Sequence, residues 1–264
     1  MLIDSHCHIN DPLYLNKADD YVNEALENNV QLMVVVGYDL KSSIDAVNIA
    51  NRFSSVYAVV GVIPNEVKNM KDDDLNKIEE LIKNNKKIIG VGEIGLDYYW
   101  EKDDKLKIDQ KEMFVKQIKL ANKYNLPVSI HCRDAYEDCY KILKEHPIKN
   151  KGIIHCYSGS KEMATLFIKL GYKLGIGGTC TFKNAIKIKE VVKNISDNDY
   201  VLETDAPYLT PVPHRGEANH SKYLCFIRDE IANLRNISSE KVENDSSKNF
   251  LDVFELWKKQ LMQF

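Results

Sequence analysis

Apolar residues along this chain fall into short, nearly continuous runs at fairly regular intervals: residues 2–6, 31–36, 57–62, 88–94, 127–131, 152–155, 172–177 and 200–204. Most are rich in Val and Ile and lack the polar alternation of a half-exposed strand. That is the pattern of strands buried on both faces of a parallel sheet. Between the runs the spacing turns helical. Tyr21, Val22, Ala25 and Leu26 share one face, as do Leu75, Ile78, Leu81 and Ile82, and Met163, Ala164, Phe167 and Ile168. After the eighth run, amphipathic sequence continues to Phe250, Val253, Phe254 and Trp257. Eight strand signals alternating with helices predict a (β/α)8 barrel of the TIM type, a fold of about 250 residues. A doubly wound open sheet has the same alternation and is the competing architecture. No linker, low-complexity tract or solenoid repeat interrupts the pattern, so residues 1–264 are expected to form one α/β domain.

Composition narrows the picture. The 264 residues are 44% hydrophobic and 28% charged, which provides a full core and excludes a disordered tail or a disulfide-dense miniature fold. Six cysteines (7, 132, 139, 156, 180 and 225) form no Cys-x-x-Cys pair and suggest reduced thiols in a cytoplasmic protein. No basic segment leads into an apolar secretory stretch, and no run of about 18 apolar residues suggests a membrane span. The charge balance is 36 Lys+Arg against 39 Asp+Glu, a formal net of -3. Lysine patches such as residues 83–87 look like solvated helix faces. Proteins that grip nucleic acid by bulk positive charge are far more basic, so any such partner must be held locally.

The chemistry lies where the strands end. Run one closes on His6-Cys7-His8, run four on Gly92-Glu93-Ile94-Gly95, and run five on His131-Cys132-Arg133-Asp134. Run six closes on His155-Cys156-Tyr157 and run eight on Glu203-Thr204-Asp205-Ala206-Pro207. In a barrel these C-terminal ends converge on one face. Strand alternation places His6 and His8 on one side and Cys7 on the other. A buried Glu93 needs a partner or a cation, and its two oxygens allow it to bridge two cations. His6, His8, Glu93, His131, His155 and Asp205 are six ligands of mutually suited type, more than the three or four a single catalytic zinc takes. The count points to two divalent metals sharing Glu93. Asp4 and Glu203, each two residues before a ligand, are expected to face inward and orient ligating imidazoles. Structural ion pairs and hydrogen-bonded core histidines account equally for several of these residues taken singly. His146, His214 and His220 fall on a helix end and a late loop.

Taken together, Asp4-Ser5-His6-Cys7-His8, Gly92-Glu93-Ile94-Gly95-Leu96-Asp97, His131-Cys132-Arg133, His155-Cys156-Tyr157-Ser158-Gly159 and Glu203-Thr204-Asp205-Ala206-Pro207 resemble the signatures of the TatD family of metal-dependent deoxyribonucleases. The resemblance runs from residue 2 to about residue 254 and implies membership of the metallo-dependent hydrolase superfamily. It implies a distorted barrel with His6, His8 and Asp205 on one metal, His131 and His155 on the other, and Glu93 on both. It further implies hydrolysis of DNA phosphodiesters, as a 3′–5′ exonuclease on single strands, typically with Mg. The imidazole–carboxylate set also admits Zn, Mn, Fe or Co. The expected mechanism is in-line attack by a hydroxide that two cations generate, with Asp205 as general base and Glu93 holding the metals. The substrate expected is a DNA 3′ end or a single strand, with no membrane and no obligate protein partner.

Arg133, at the rim beside His131, and Arg215 are candidate phosphate grips. Tyr98, Tyr99 and Trp100 could stack a base or simply pack their loop. Three departures from the family pattern stand out, one being His220-Ser221 after Asn219 where the family tends to read Glu-Pro. Ile63 in Gly61-Val62-Ile63-Pro64 occupies the place of a histidine, and Glu217 follows Arg215-Gly216 where the family tends to carry Lys. They motivate a second expectation, a metallohydrolase of a small-molecule ester, amide or phosphoester, aminoacyl-tRNA deacylation included, using the same site. A non-enzymatic scaffold would have lost ligands, and all six are retained.

Overall fold

The computed structural model describes residues 1–255; Trp257, expected in the C-terminal helical cover, lies outside them. Eight parallel strands follow one another around the sheet in chain order: β1 (Leu2–Cys7), β2 (Val30–Val36), β3 (Val56–Val60), β4 (Ile88–Asp97), β5 (Val128–Arg133), β6 (Gly152–Ile154), β7 (Lys173–Ile176) and β8 (Tyr200–Leu202). Seven helices fill the connections: α1 (Ala18–Glu27), α2 (Leu40–Arg52), α3 (Asp74–Asn84), α4 (Asp104–Tyr124), α5 (Tyr136–Glu145), α6 (Lys161–Lys169) and α7 (Ile186–Asn194). Then α8 (Leu224–Arg235) and α9 (Ser239–Val253) complete the ring and its base. The architecture is the (β/α)8 barrel, and the open-sheet alternative is excluded by the return of β8 to β1.

The core has two layers, as the double burial of the strands requires. On β2, Met33 and Val35 pack outward into the layer shared with Tyr21, Val22, Ala46 and Ala50 of the surrounding helices. Leu32, Val34 and Val36 point into the barrel, where they meet Ile3, Val59, Ile89, Ile153 and Val201. Phe250, Leu251 and Phe254 close the N-terminal end of that interior, so the base is an apolar plug and the opposite end is free to hold polar groups.

The β1–β8 seam is held differently from the other pairs. Asp205 N–H donates to His6 O at 2.9 Å, and His8 N–H donates to Ala206 O at 2.8 Å. Below them the buried Asp4 carboxylate accepts from Thr204 N–H (2.9 Å), Thr204 Oγ1 (2.6 Å) and Ser221 Oγ (2.6 Å). Burial pushes its carboxyl up to about 7, against these three hydrogen bonds and a fourth from the His6 N–H that pull it down. Asp4 therefore does not orient an imidazole ring, as alternation suggested. The reason is a one-residue bulge: Asp4 pairs with Met33 and Cys7 with Val35, three residues of β1 against two of β2. Asp4 and Cys7 both face the helix layer, and the extra residue turns His6 inward.

Ser221 is fixed in turn by Tyr21, whose hydroxyl lies 2.9 Å from Ser221 Oγ. The His220 ring stacks on Tyr21 at 3.7 Å, and its Nδ1 accepts the Lys222 N–H at 3.0 Å. Only a neutral ring can accept there, and burial, with Lys222 nearby, lowers the His220 pKa to about 4.

Two stability predictions follow from these contacts. Asp4→Ala strands the Thr204 and Ser221 hydroxyls and is expected to cost about 2–4 kcal/mol in urea unfolding at pH 7. For His220, the unfolded ring takes up a proton below its ordinary value of 6.5, whereas the folded ring does so only below about 4. Its contribution is thus present above pH 6.5 and lost as pH falls toward 4. Between pH 7 and 4.5, His220→Gln is expected to lose about 2 kcal/mol less than the unsubstituted protein; equal losses would refute the assignment.

Candidate metal centre

Toward the C-terminal end of the barrel, five side chains, His6, His8, His131, His155 and Asp205, meet around Glu93. Its two carboxylate oxygens divide the work. Oε1 lies 2.8 Å from His131 Nδ1 and 2.8 Å from His155 Nε2. Oε2 lies 3.6 Å from His6 Nε2 and 3.7 Å from His8 Nε2. Asp205 Oδ1 joins the second group, 3.4 Å from His8 Nε2 and 3.8 Å from His6 Nε2. His6, His8 and Glu93 can share one cation, and Glu93, His131 and His155 another.

The far side of each ring shows which nitrogen is free. His8 Nδ1 donates to Val36 O at 2.9 Å, and His6 Nδ1 lies 3.1 Å from Ser129 Oγ. Their Nε2 atoms then face one another at 3.3 Å. His131 Nε2 meets Asp97 Oδ2 at 3.0 Å, which leaves its Nδ1 turned toward His155 Nε2 at 3.2 Å and toward Glu93. Nitrogens that converge in this way can share a proton or direct their lone pairs at a divalent cation between them. The donor set fits divalent cations on both sides of Glu93. The carboxylate and imidazole charges compensate one another. Burial alone would raise the Glu93 carboxyl, yet His155, His131 and His6 hold it well below its usual range. Burial would likewise lower His155, but Glu93 and Glu203 raise it well above its ordinary value. Asp205, despite burial, is held ionised by His8, His155 and His6.

Residues 3–255 match the family model described as TatD related DNase. The chain belongs to the TatD family. It is 38% identical over 257 residues to YabD of Bacillus subtilis, an uncharacterized metal-dependent hydrolase, with 97% of this chain and 100% of the relative covered. The crystal structure of YJJV, a TatD homolog from Escherichia coli, superposes with a TM-score of 0.92 at 28% identity, covering 96% of this chain and 98% of that one. A hydrolase TatD family protein from Entamoeba histolytica shares the fold, with a TM-score of 0.85 at 20% identity, 96% of this chain and 97% of that one being covered.

In this TatD-family metal-dependent hydrolase, all six residues expected as ligands converge. Glu93 is not at the end of its strand, however. β4 continues four residues further, pairing Ile94 with Ile130 and Asp97 with Arg133. A second bulge lies here, with Val91 opposite Val128 and Ile94 opposite Ile130. Val91 and Ile94 both pack in the outer layer, and the extra residue lets Glu93 turn inward. Glu203 faces the interior as alternation requires. Its Oε1 accepts the Cys156 N–H and lies 3.8 Å from His155 Nδ1. A Cβ at position 175 would come within 2.1 Å of Glu203 Oε2, so any larger residue there displaces this carboxylate. Arg133 ends β5 at the rim, exposed, with its guanidinium over Tyr99. Arg215 lies on the loop after β8, bonded to Thr210 O at 3.0 Å and stacked over Phe182. Neither arginine enters the cluster.

Asp97 is the residue the sequence reading left without a role. It lies in a quoted motif, and its i+4 spacing from Glu93 on a strand was the available signal. Because one carboxylate holds the proton-bearing nitrogen of His131, Asp97→Asn is expected to weaken divalent-metal binding about 10–100-fold. Equilibrium dialysis with metal analysis checks this, with an unchanged circular dichroism spectrum as the folding control; undiminished metal binding would refute it.

Proposed function

We propose that this chain hydrolyses phosphodiester bonds of DNA from the 3′ end of single strands, releasing 5′-mononucleotides, with two divalent cations held by His6, His8, Glu93, His131, His155 and Asp205. The observation that carries the reading is the partition of the Glu93 oxygens, one toward each pair of imidazoles. The match to the deoxyribonuclease family model over nearly the whole chain supports the substrate class.

Bound divalent cations supply an electrophile for the phosphoryl oxygens and lower the pKa of an attacking water. The protein groups do the rest. Asp205, side chain 14% exposed at the mouth and held ionised, receives the proton as general base. Val36 O, Ser129 Oγ and Asp97 keep the His8, His6 and His131 rings turned so that their free nitrogens converge, and Glu203 lies 3.8 Å from His155 Nδ1. Arg133, at the open rim, offers a planar fork to a phosphate of the incoming strand. Mg suits the phosphodiester chemistry, and Zn, Mn, Fe or Co fit the same nitrogen-rich donors.

A second reading has a specific observation behind it. Ile63 is half-buried, its N–H donating to Tyr38 O at 2.9 Å, and adds no polar group beside the Pro64 turn. Glu217 is exposed, paired with His214 at 3.3 Å and accepting from Tyr223 Oη at 2.9 Å, and adds negative charge to the loop that carries Arg215. Both suit a smaller ester, amide or phosphoester better than a polyanion.

Incubation with 3′-labelled single-stranded DNA and Mg, Mn or Zn tests the proposal. Glu93→Ala and Asp205→Ala are each expected to lower the rate at least 1,000-fold, on the order of a lost transition-state interaction of ~4 kcal/mol. Mononucleotide release that survives both substitutions would sink the two-cation mechanism. Absence of release with any metal, alongside turnover of an ester or amide panel, would transfer the site to the second reading.

A further inference from the structure

The rim beside His131 carries an aromatic surface that the hydrolytic site does not use. Tyr99 is 44% and Trp100 66% exposed, although both belong to residue types that normally pack. Their neighbour Tyr98 shows what packing looks like here: it is half-buried, its hydroxyl donates to Asp138 at 2.9 Å, and Lys107 lies 5.5 Å from its ring centre. Tyr99 and Trp100 instead stand edge to face at 4.8 Å and 87°. The Arg133 guanidinium covers Tyr99 at 3.9 Å and approaches Trp100 at 5.6 Å. Lys102 lies 5.9 Å from the Tyr99 ring and is tied to Tyr98 O at 2.6 Å.

This surface is fixed to the metal centre by one side chain. Asp97 Oδ1 accepts the backbone N–H groups of Tyr99 and Trp100, each at 3.0 Å. Its Oδ2 meets His131 Nε2 at 3.0 Å. The strand pairing of Asp97 with Arg133, continued by Tyr98 N–H donating to Arg133 O at 2.9 Å, fixes the arginine in the same frame. The turn is therefore positioned relative to the imidazole by the same carboxylate that orients it.

We propose that Tyr99, Trp100 and Arg133 form a nucleobase-stacking platform, which holds the terminal base of a single strand so that its phosphate reaches the metal centre. The proposal rests on the nuclease reading above and deepens it. An exposed ring accepts any base through its π face, and the adjacent cations favour a polyanion, so the platform recognises a nucleotide end without selecting its sequence. It also lets a protein of near-neutral charge hold a strand end, where surface potential gives little.

The test measures binding in EDTA, by anisotropy of a 5′-labelled single strand ending in an ordinary nucleotide or in an abasic one. The unsubstituted protein is expected to bind the ordinary end about tenfold more tightly than the abasic end. Trp100→Ala is expected to bind both equally, at the abasic level, and Trp100→Phe to restore most of the difference. Equal binding of the two ends by the unsubstituted protein, no binding of either, or an equal loss for both ends in Trp100→Ala would overturn the platform. A parallel Mg hydrolysis assay separates the two claims. Hydrolysis without base discrimination removes the platform and leaves the nuclease. Base discrimination without hydrolysis does the reverse.

Discussion

Glu93 puts an ionised carboxylate above an interior otherwise filled by Val34, Val36, Val59, Ile89, Ile153 and Val201. A charge so placed has to be compensated, since isolated burial of a carboxylate is prohibitively unfavourable. Four imidazoles meet it, and those of His6, His8 and His131 are turned by a further hydrogen bond on the outer nitrogen. The polar end of the barrel is organised around that requirement. The opposite end needs no such arrangement, because Phe250, Leu251 and Phe254 close it with apolar surface. One fold thus separates stability at its base from chemistry at its mouth.

The same economy holds at the β1–β8 seam. His6 and His8 come from the first strand and Asp205 from beyond the last, almost 200 residues apart. Their approach depends on two backbone hydrogen bonds across the seam and on the Asp4 carboxylate beneath it. The contacts that close the barrel are the same ones that bring His6, His8 and Asp205 together. Asp4 therefore acts on the site through the backbone, not through a ring. Asp97 plays a comparable part at β4–β5, where a single carboxylate serves both an imidazole and the turn bearing Tyr99 and Trp100.

Charge is concentrated rather than spread. A net of -3 leaves no basic exterior to attract a polyanion. At the mouth of the barrel, positive character lies in the cluster of imidazoles and in Arg133 and Lys102 at the rim. No helix among the described residues is long and apolar enough to cross a membrane.

Much of this was legible in the sequence by itself. Buried parallel strands leave continuous apolar runs, so their number and order were visible, and with them the barrel. Candidate ligands at strand ends share one face of that barrel, so His6, His8, Glu93, His131, His155 and Asp205 could be gathered before any coordinates. Glu203 obeyed simple alternation and was placed correctly. Alternation failed at Asp4 because β1 carries one extra residue, and a bulge inverts inside and outside beyond it; Glu93, expected at a strand end, lies four residues before the end of β4, beside a second bulge. Nothing local marks such a residue; it is fixed by the register against the neighbouring strand. Only the tertiary structure could decide that Asp4 stitches β1 to β8, that Asp97 holds His131, and that the two oxygens of Glu93 face different pairs of rings. Those facts depend on distances between residues far apart in sequence, and a pattern along one chain contains no such distances.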